Sequence, residues 1–294
     1  TVKDRLIGSA FVSVKPLKEL EVKLQLGADR SFQKRSSYLP KTTLQGANKN
    51  GRADISQETS TTYLMELTAQ YSKSFGDHNL KAIGGYSFQK FKNDGFSAGN
   101  SDFLVDGFGY NSLGSGNYKK PSVSSWASIN SIASLFARAN YSYKGKYTIN
   151  GTVRYEGSNK LGKSRSARWL PTWNVSGAWN AHEEKFFESM KKVVSNLTLK
   201  ASYSLTADRG PASVTNSLVV IESYNPWRPF TNVKESGLKI DDLENSELTY
   251  EKKHELNIGV DLGLFNNRIN LSADWYKRDN YDLIGLINTM GVGG

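Results

Sequence analysis

A two-residue alternation of apolar and polar side chains recurs along this chain, in segments of about ten residues separated by turns. In the clearest segment, from Leu20 to Ala28, Leu, Val and Ala alternate with Glu, Lys, Gln and Gly. Successive residues of a strand point to opposite faces, so each segment has one apolar face and one polar face. Repeated about ten times, with short and long connections between the segments, this pattern predicts the wall of an antiparallel transmembrane β-barrel.

Composition favours strands over helices as the elements that cross the membrane. The 294 residues are 38% hydrophobic, and no stretch approaches the roughly 20 apolar residues of a membrane helix, which excludes a helical membrane protein. Aromatic residues make up 12% of the chain, as expected for a sheet with aromatic rings at the membrane interfaces. The chain has no cysteine, which excludes structural disulfides, cysteine-ligated zinc and thiol catalysis within it.

The alternation predicts ten strands. They are expected at residues 5–14, 20–32, 60–74, 80–92, 131–143, 147–157, 171–180, 197–206, 250–264 and 268–281. Short connections at 16–18, 75–78, 144–146 and 265–268 alternate with long polar ones at 33–59, 93–130, 158–170 and 207–247. This order is typical of outer-membrane barrels, in which short turns face the periplasm and long loops face outward.

One connection on the short side, residues 181–194, has a different pattern. Phe186, Phe187, Met190 and two valines recur at helical spacing, and the segment begins with acidic residues and ends with basic ones. We expect a short amphipathic helix that caps the barrel rim. A helix that binds a partner is the alternative.

Extending the alternation assigns one face of each strand to lipid. Small and aliphatic side chains occupy the centre of this face, and Tyr, Trp and Phe lie near its ends, where rings with a polar edge settle at headgroup depth. The apolar band is expected to contain Leu67, Ala69, Ala82, Leu135, Ala137, Ala139, Val153, Val175, Ala201, Leu256, Ile258, Val260, Leu262, Leu271 and Ala273. The alternative is a soluble β-sandwich in which the same face packs on a second sheet.

The opposite face of the strands is rich in charge, including Lys23, Asp29, Glu66, Lys81, Arg138, Arg154, Glu156, Lys200, Asp261, Asp274 and Arg278. A sealed core does not hold so many charges without a partner for each, so we expect water, a polar substrate or a plug domain inside. Ten strands also leave two open edges, which cannot face hydrocarbon. We therefore expect further strands in a longer protein, and the first and last residues, Thr1 and Gly294, to be cuts inside it.

Four consecutive motifs carry a resemblance to a known family. They are the stretches 140–147 (NYSYKGKY), 154–159 (RYEGSN), 161–163 (LGK) and 168–171 (RWLP), with further ordered matches within 177–186, 197–203, 248–261 and 267–276. Together they resemble the SusC/RagA class of TonB-dependent outer-membrane transporters, firmly over residues 130–290 and loosely before. Two departures, the position of the acidic residue before Gly157 and the stretch 205–208, lie at outer strand ends and bear on loop shape.

The resemblance implies an all-β fold in which residues 1–294 are part of one TonB-dependent receptor barrel domain, about ten strands of the 22 in the family, with no plug domain in this chain. It implies a place in the cell outer membrane and active import of a large nutrient, an oligosaccharide or a peptide. The implied partners are a SusD-like surface lipoprotein and TonB, which acts through an N-terminal part outside this chain. Two such barrel and lipoprotein pairs could form a dimer. No cofactor and no enzyme activity are implied.

Two groups of aromatic residues in the long connections are candidate substrate-binding residues. The first is Tyr224, Asn225, Trp227, Arg228 and Phe230, which offers rings for stacking on sugars and polar groups for hydroxyls. The second and weaker group includes Phe108 and Tyr110, with Phe103 and Tyr118 nearby. The alternative for both groups is packing against a neighbouring loop or against the lipoprotein.

The formal net charge of +10 points to anionic partners at the membrane surface. Lys160, Lys163, Arg165 and Arg168 make one long connection basic, so that it can bridge lipopolysaccharide or attract an acidic substrate. Nucleic-acid binding is not expected, because the basic residues are spread over both rims of the predicted barrel.

An enzyme or a metal site has little support in the sequence. The three histidines are far apart, and no phosphate loop or nucleophile elbow is present. A calcium site at Asp241, Asp242 and Glu244 is an alternative, although their spacing matches no EF-hand loop. Two other functions would share the same wall, a passive porin and a structural or adhesive outer-membrane protein.

Overall fold

A computed structural model of the chain describes residues 1–117, 121–210, 217–224, 227–228, 233–234 and 237–285. The long strands are β1 (Val2–Leu17), β2 (Leu20–Leu39), β3 (Arg52–Phe75), β4 (His78–Ser101), β5 (Ser122–Tyr143), β6 (Tyr147–Ser158), β7 (Trp169–Asn180), β8 (Val194–Asp208), β13 (Glu251–Leu264) and β14 (Ile269–Tyr281). The short elements are α1 (Leu44–Ala47), α2 (Arg165–Arg168), β9 (Val220–Tyr224), β10 (Trp227–Arg228), β11 (Val233–Lys234) and β12 (Gly237–Asp242).

The ten long strands form one sheet in which each strand pairs with its neighbours along the chain. The order is β1-β2-β3-β4-β5-β6-β7-β8-β13-β14, and the four short strands form two separate hairpins, β9 with β12 and β10 with β11, within the connection between β8 and β13. All ten predicted strands are confirmed, and so is the antiparallel up-and-down order. No helix in the described part of the chain is both long and apolar enough to cross a membrane.

Four strands extend further into the long connections than the sequence pattern predicts. β2 continues to Leu39, β3 begins at Arg52, β4 continues to Ser101 and β5 begins at Ser122, so parts of the connections 33–59 and 93–130 are strand. Outside the hydrocarbon, a strand needs backbone partners but no apolar face. The alternation therefore stops before the strands do.

The chain divides into two compact units. One contains residues 1–12, 24–66 and 88–131, and the other contains residues 13–23, 67–87 and 132–294. The first unit includes α1 and the extended parts of β2 to β5, and the second includes the tight turns and β6 to β14.

The tight turns have the conformations that their residues favour. Gly76 and Gly145 adopt φ angles of 56° and 68°, which glycine reaches without steric cost. The backbone N–H of Lys144 donates to the Asp77 carbonyl oxygen at 2.8 Å, so two neighbouring turns are joined.

The predicted lipid face carries large apolar side chains that the protein leaves exposed. Two cross-strand pairs on this face are Val175 with Tyr203, in β7 and β8, and Ile258 with Trp275, in β13 and β14, and all four side chains are roughly half exposed. In the described residues, the two additional sheets are hairpins of two strands each. The arrangement is that of a barrel wall and not of a β-sandwich, whose apolar face would be covered.

The segment 181–194 is not the predicted amphipathic α-helix. It forms two 3₁₀ turns, Ala181–Glu183 and Lys185–Met190, separated by Glu184 in an extended conformation. Glu184 leaves the helical region because its carboxylate is held by Lys146 and Tyr147 of the neighbouring turn. Helical spacing in the sequence does not reveal this tertiary contact.

Candidate functional site in the long connections

The polar face of the sheet carries ion pairs between neighbouring strands. Lys200 Nζ lies 2.7 Å from an Asp261 carboxylate oxygen, and Arg278 Nε donates to Glu255 at 2.8 Å. Lys200 and Asp261 keep 41% and 32% of their side-chain surface exposed. This face is therefore charged and partly exposed.

One group of residues from the long connections, 38–51 with 102–117, forms what we call the first loop cluster. The Tyr38 hydroxyl donates a hydrogen bond to the carboxylate of Asp106, which raises the pKa of Tyr38 to about 12. Phe103 is buried, and its ring meets the edge of the Tyr38 ring at a centroid distance of 5.9 Å. Tyr38 therefore anchors the chain that follows Phe103.

The anchored chain presents two of the candidate binding residues. Phe108 and Tyr110 lie in the 3₁₀ segment Asp106–Asn111 and are 59% and 40% exposed. Phe103, their predicted companion, is buried in the cluster and contributes to packing, while Tyr118 lies outside the described residues. Ligand binding by Phe108 and Tyr110 stays a prediction.

Residues 156–170, Ser217 and 243–250 form the second loop cluster. The Ser217 hydroxyl donates to the Leu161 carbonyl oxygen at 2.8 Å, and the Ser217 backbone N–H donates to the Lys160 carbonyl oxygen at 3.1 Å. Leu161 and Ser217 are fully buried. Nothing in the sequence distinguishes an isolated serine in a polar connection, so the sequence does not predict these hydrogen bonds of Ser217.

Motifs that carry the family resemblance meet in the second loop cluster. A Cβ added to Gly157 would lie 2.5 Å from the Trp169 indole, which itself stacks on Tyr155 at 5.2 Å. The hydroxyl of buried Tyr250 donates to the Glu156 carbonyl oxygen at 3.3 Å, and burial raises the pKa of Tyr250. These motif residues hold the outer ends of β6, β7 and β13 together.

The stronger group of candidate binding residues lies in the connection that the second loop cluster anchors. The Asn245 backbone N–H donates to the Ser217 carbonyl oxygen at 3.1 Å, which closes the base of the β9–β12 hairpin. Tyr224 ends β9, and Trp227 and Arg228 form β10. The other two members of the group, Asn225 and Phe230, lie outside the described residues. Their role in binding stays a prediction.

Three basic side chains of the 158–170 connection are engaged within the protein. Lys163 Nζ lies 2.5 Å from a Glu244 oxygen, and Arg168 Nε donates to a backbone oxygen of the same connection at 3.1 Å. Arg165 Nε donates to a tyrosine hydroxyl of β6 at 3.2 Å, which raises the pKa of Arg165. The basic stretch thus serves loop structure as well as any anionic partner.

The three histidines occupy separate structural positions. His78 is hydrogen-bonded to the Tyr141 hydroxyl at 2.6 Å, and His182 to the Leu197 backbone at 3.1 Å. His254 stacks between two tyrosine rings, with centroid distances of 5.5 and 5.6 Å.

Two of the three residues of the possible calcium site, Asp241 and Glu244, pair with lysines, and the side chain of Asp242 lies outside the described part of the structure. Asp241 lies 3.2 Å from Lys239, and Glu244 pairs with Lys163. Within the described ranges, no group of three or more His, Asp or Glu side chains is placed to hold a metal ion.

Known sequences similar to this chain are TonB-dependent receptors. A family model described as TonB dependent receptor-like, beta-barrel, matches residues 18–294. The TonB-dependent receptor P3 of Formosa agariphila is 31% identical over 90% of this chain and 26% of its own length. The TonB-dependent receptor SusC of Bacteroides thetaiotaomicron is 27% identical over 75% of this chain and 21% of its own. The chain spans about a quarter of the length of these relatives.

Solved structures agree on the fold. The RagAB peptide importer in its closed-closed state superposes with a TM-score of 0.81 at 24% identity, over 96% of this chain and 30% of that one. The ferric-catecholate import receptor Fiu of E. coli superposes less closely, with a TM-score of 0.55 at 11% identity, over 96% of this chain and 41% of that one. At these identities, the likeness establishes the barrel fold.

Proposed function

The chain belongs to the TonB-dependent receptor-like β-barrel family, and from this premise we propose that it forms part of the barrel of a SusC-like importer in the outer membrane. The importer takes up an oligosaccharide or a peptide, with a SusD-like lipoprotein at the surface and TonB as the source of work. In this proposal residues 1–294 belong to one barrel domain, and the plug and the remaining strands lie elsewhere in the full-length protein.

The observation that carries the proposal is the contrast between the two faces of the ten-stranded sheet. Val175, Ile258 and Trp275 expose apolar surface on one face, where lipid is the suitable solvent. On the other face, Lys200 and Asp261 form a partly hydrated ion pair, as expected for the wall of a polar passage.

Substrate contact is proposed for the aromatic residues of the long connections. Phe108 and Tyr110 are exposed on a turn whose position is fixed by Tyr38 and Phe103. Trp227 and Arg228 form one strand of the β10–β11 hairpin, which lies between the two strands of the β9–β12 hairpin with its anchored base. Because the turn that carries Phe108 and Tyr110 is held in place, little conformational entropy of the backbone is lost when these rings stack against a sugar or a peptide side chain.

The proposal is tested with the full-length protein in its native host. Deletion is expected to abolish growth on one polymer or peptide source, and complementation to restore it only when TonB is functional. Trp227→Ala and Phe108→Ala should lower substrate binding by the purified complex, whereas Trp275→Ala on the lipid face should leave it unchanged. A lipoprotein is expected to co-purify in detergent.

Two outcomes would favour the alternative functions. Uptake that continues without TonB would indicate a passive porin. A deletion strain that grows normally but fails to attach to surfaces would indicate an adhesive or structural protein. Unchanged binding in both loop variants would remove these residues from the substrate site but leave the transport proposal standing.

A further inference from the structure

The rim at the tight-turn end of the second unit exposes a row of large apolar side chains. Phe186, Met190 and Val193 are 63%, 45% and 50% exposed. Phe265 and Ile269 of the next turn are about as exposed, at 49% and 46%. The Phe265 backbone N–H donates to the Val193 carbonyl oxygen at 2.8 Å, so the two segments form one continuous apolar rim.

This rim continues the lipid-facing surface of the sheet. Phe186 contacts Trp179 at a ring centroid distance of 6.4 Å. Trp179 lies opposite Leu199 in β8 and opposite Tyr147 in β6, and both of these side chains are substantially exposed on the same face. The exposed ring of Phe186 therefore lies at the border of the apolar band, where interfacial aromatic residues are expected.

The segment that carries these side chains is fixed to the sheet. The Glu184 carboxylate accepts hydrogen bonds from Lys146 Nζ at 2.9 Å, from the Tyr147 hydroxyl, and from Trp179 Nε1 at 3.4 Å. Phe187 is buried directly beside exposed Phe186. Because the segment is held in place by these contacts, the fold itself buries the ring of Phe187 and exposes the ring of Phe186.

Charge on the same segment complements a phospholipid surface. Lys185, Lys191 and Lys192 are exposed, and none of them lies within 4.0 Å of a carboxylate in the described part of the chain. The exposed Glu188 is the one opposing charge between them. Apolar side chains flanked by lysines are the pattern of segments that lie in the membrane interface, with the lysines at the phosphates.

We propose that residues 185–193 are a lipid-interface anchor, in which Phe186, Met190 and Val193 enter the periplasmic leaflet and the three lysines bind phospholipid phosphates. The occupant is lipid because the rim is continuous with the lipid-facing band. The inference rests on the proposed function, which places that band in the outer membrane.

The test uses the full-length protein, cleared of any cysteine outside these 294 residues, which contain none. Nitroxide labels at Phe186→Cys and Val193→Cys are compared with a lipid-band reference at Val175→Cys and with an aqueous reference at Glu188→Cys. Collision rates with oxygen and with a water-soluble nickel chelate are measured after reconstitution into phosphatidylcholine vesicles. We expect oxygen to dominate at positions 186, 193 and 175, and nickel at 188.

The result distinguishes failure of the anchor from failure of the membrane placement. Nickel-dominated collisions at 186 and 193, with oxygen-dominated collisions at 175, would overturn the anchor alone. Nickel-dominated collisions at 175 would overturn the proposed barrel placement as well. Shielding of 186 and 193 from both agents would show that a protein surface covers the rim, which also overturns the anchor.

The lysines are tested by adding anionic phosphatidylglycerol to the vesicles. The oxygen-to-nickel ratio at position 186 is expected to rise, because the lysines draw this rim of the barrel, to which the segment is fixed, toward the anionic headgroups. Replacement of Lys185, Lys191 and Lys192 by Gln should remove that rise, whereas replacement of three lysines of the long connections by Gln should preserve it. An unchanged rise in the Lys185, Lys191 and Lys192 variant would overturn the assignment of phosphate binding to these side chains.

Discussion

Gly162 packs directly against the backbone of Ser246: a Cβ at position 162 would lie 2.0 Å from the Ser246 carbonyl oxygen. The closeness is enforced by two backbone hydrogen bonds, from Gly162 N–H to Leu248 at 2.8 Å and from Lys163 N–H to Ser246 at 3.1 Å. Because the obstacle is backbone, a side chain at this position cannot be accommodated by a rotamer change.

Gly162→Ala is therefore expected to open the second loop cluster. We expect a cost of about 1–3 kcal/mol, within the range measured for overpacking, paid locally by separation of the two backbone segments. Limited proteolysis of the full-length protein in detergent should show faster cleavage between residues 158 and 250. Gly114→Ala is the matched control, since a Cβ there meets nothing within 4 Å. Equal cleavage of the two variants would contradict the prediction.

Glu184 makes the attachment of the 181–193 segment dependent on pH. Hydrogen bonds from the Tyr147 hydroxyl and from Lys146 lower the pKa of Glu184 below its usual value of 4.5. Because this pKa is lower in the folded state, ionised Glu184 stabilises the folded state fully above pH 4.5, and this stabilisation is lost as the pH falls through the lowered pKa.

Glu184→Gln should loosen the segment at neutral pH, whereas the unsubstituted protein should loosen only in acid. The mobility of a nitroxide label at Ser189 measures the change. Glu188→Gln is the control, because Glu188 is exposed and lies outside this network. A label that stays immobile at neutral pH in Glu184→Gln would show that other contacts, such as buried Phe187 and the hydrogen bond from Phe265 to Val193, hold the segment without the Glu184 carboxylate.

The fold was predictable from sequence because the membrane imposes a pattern on every strand. The alternation in 250–264 and 268–281 predicted β13 and β14 almost to the residue. Beyond the ends of the apolar pattern the sequence no longer indicates a strand, and the outer parts of β3 and β5 were therefore predicted to be loop. The prediction of an α-helix at residues 181–194 was wrong for a different reason: the contact between Glu184 and Lys146, which interrupts the helix, depends on the tertiary fold.

The candidate site was less predictable than the fold. Aromatic spacing suggested Phe103, Phe108 and Tyr110 together, but Phe103 is buried and packs on Tyr38, which is distant in sequence. Local spacing cannot tell which ring of a loop turns inward. The family motifs are recognisable in the sequence, whereas their structural role, exemplified by the contact of Gly157 with Trp169, depends on the tertiary fold.

Tyr38→Phe should release the turn that presents Phe108 and Tyr110. The substitution removes only the hydroxyl that donates to Asp106 and keeps the ring that packs on Phe103. We expect faster proteolysis within the Asp106–Asn111 segment. Tyr63→Phe, at a half-exposed ring on β3, should have no effect on this segment, and a matching acceleration there would point to a general loss of stability.

The same hydrogen bond predicts a response to alkaline pH. The pKa of Tyr38 is raised from 10.0 to about 12, so the stabilising contribution is complete below pH 10 and is lost as the pH rises through 12. Proteolysis of the segment by an alkali-tolerant protease should accelerate in that window in the unsubstituted protein. Tyr38→Phe should show no such step, and a step that persists in the variant would assign it to another group.

The pair of Lys200 and Asp261 reports whether the polar face of the barrel is wet. Both side chains keep about a third or more of their surface exposed, so solvent should screen the pair, and a double-mutant cycle with Lys200→Met and Asp261→Asn should give a coupling of about 1 kcal/mol or less. Urea unfolding of the full-length protein in lipid vesicles measures the cycle. In a dry interior, removing one partner would instead cost about 3–5 kcal/mol, because the remaining charge would be buried alone. Such a cost would contradict a hydrated passage. It would also contradict the explanation that the many charged side chains of this face are stabilised by contact with water.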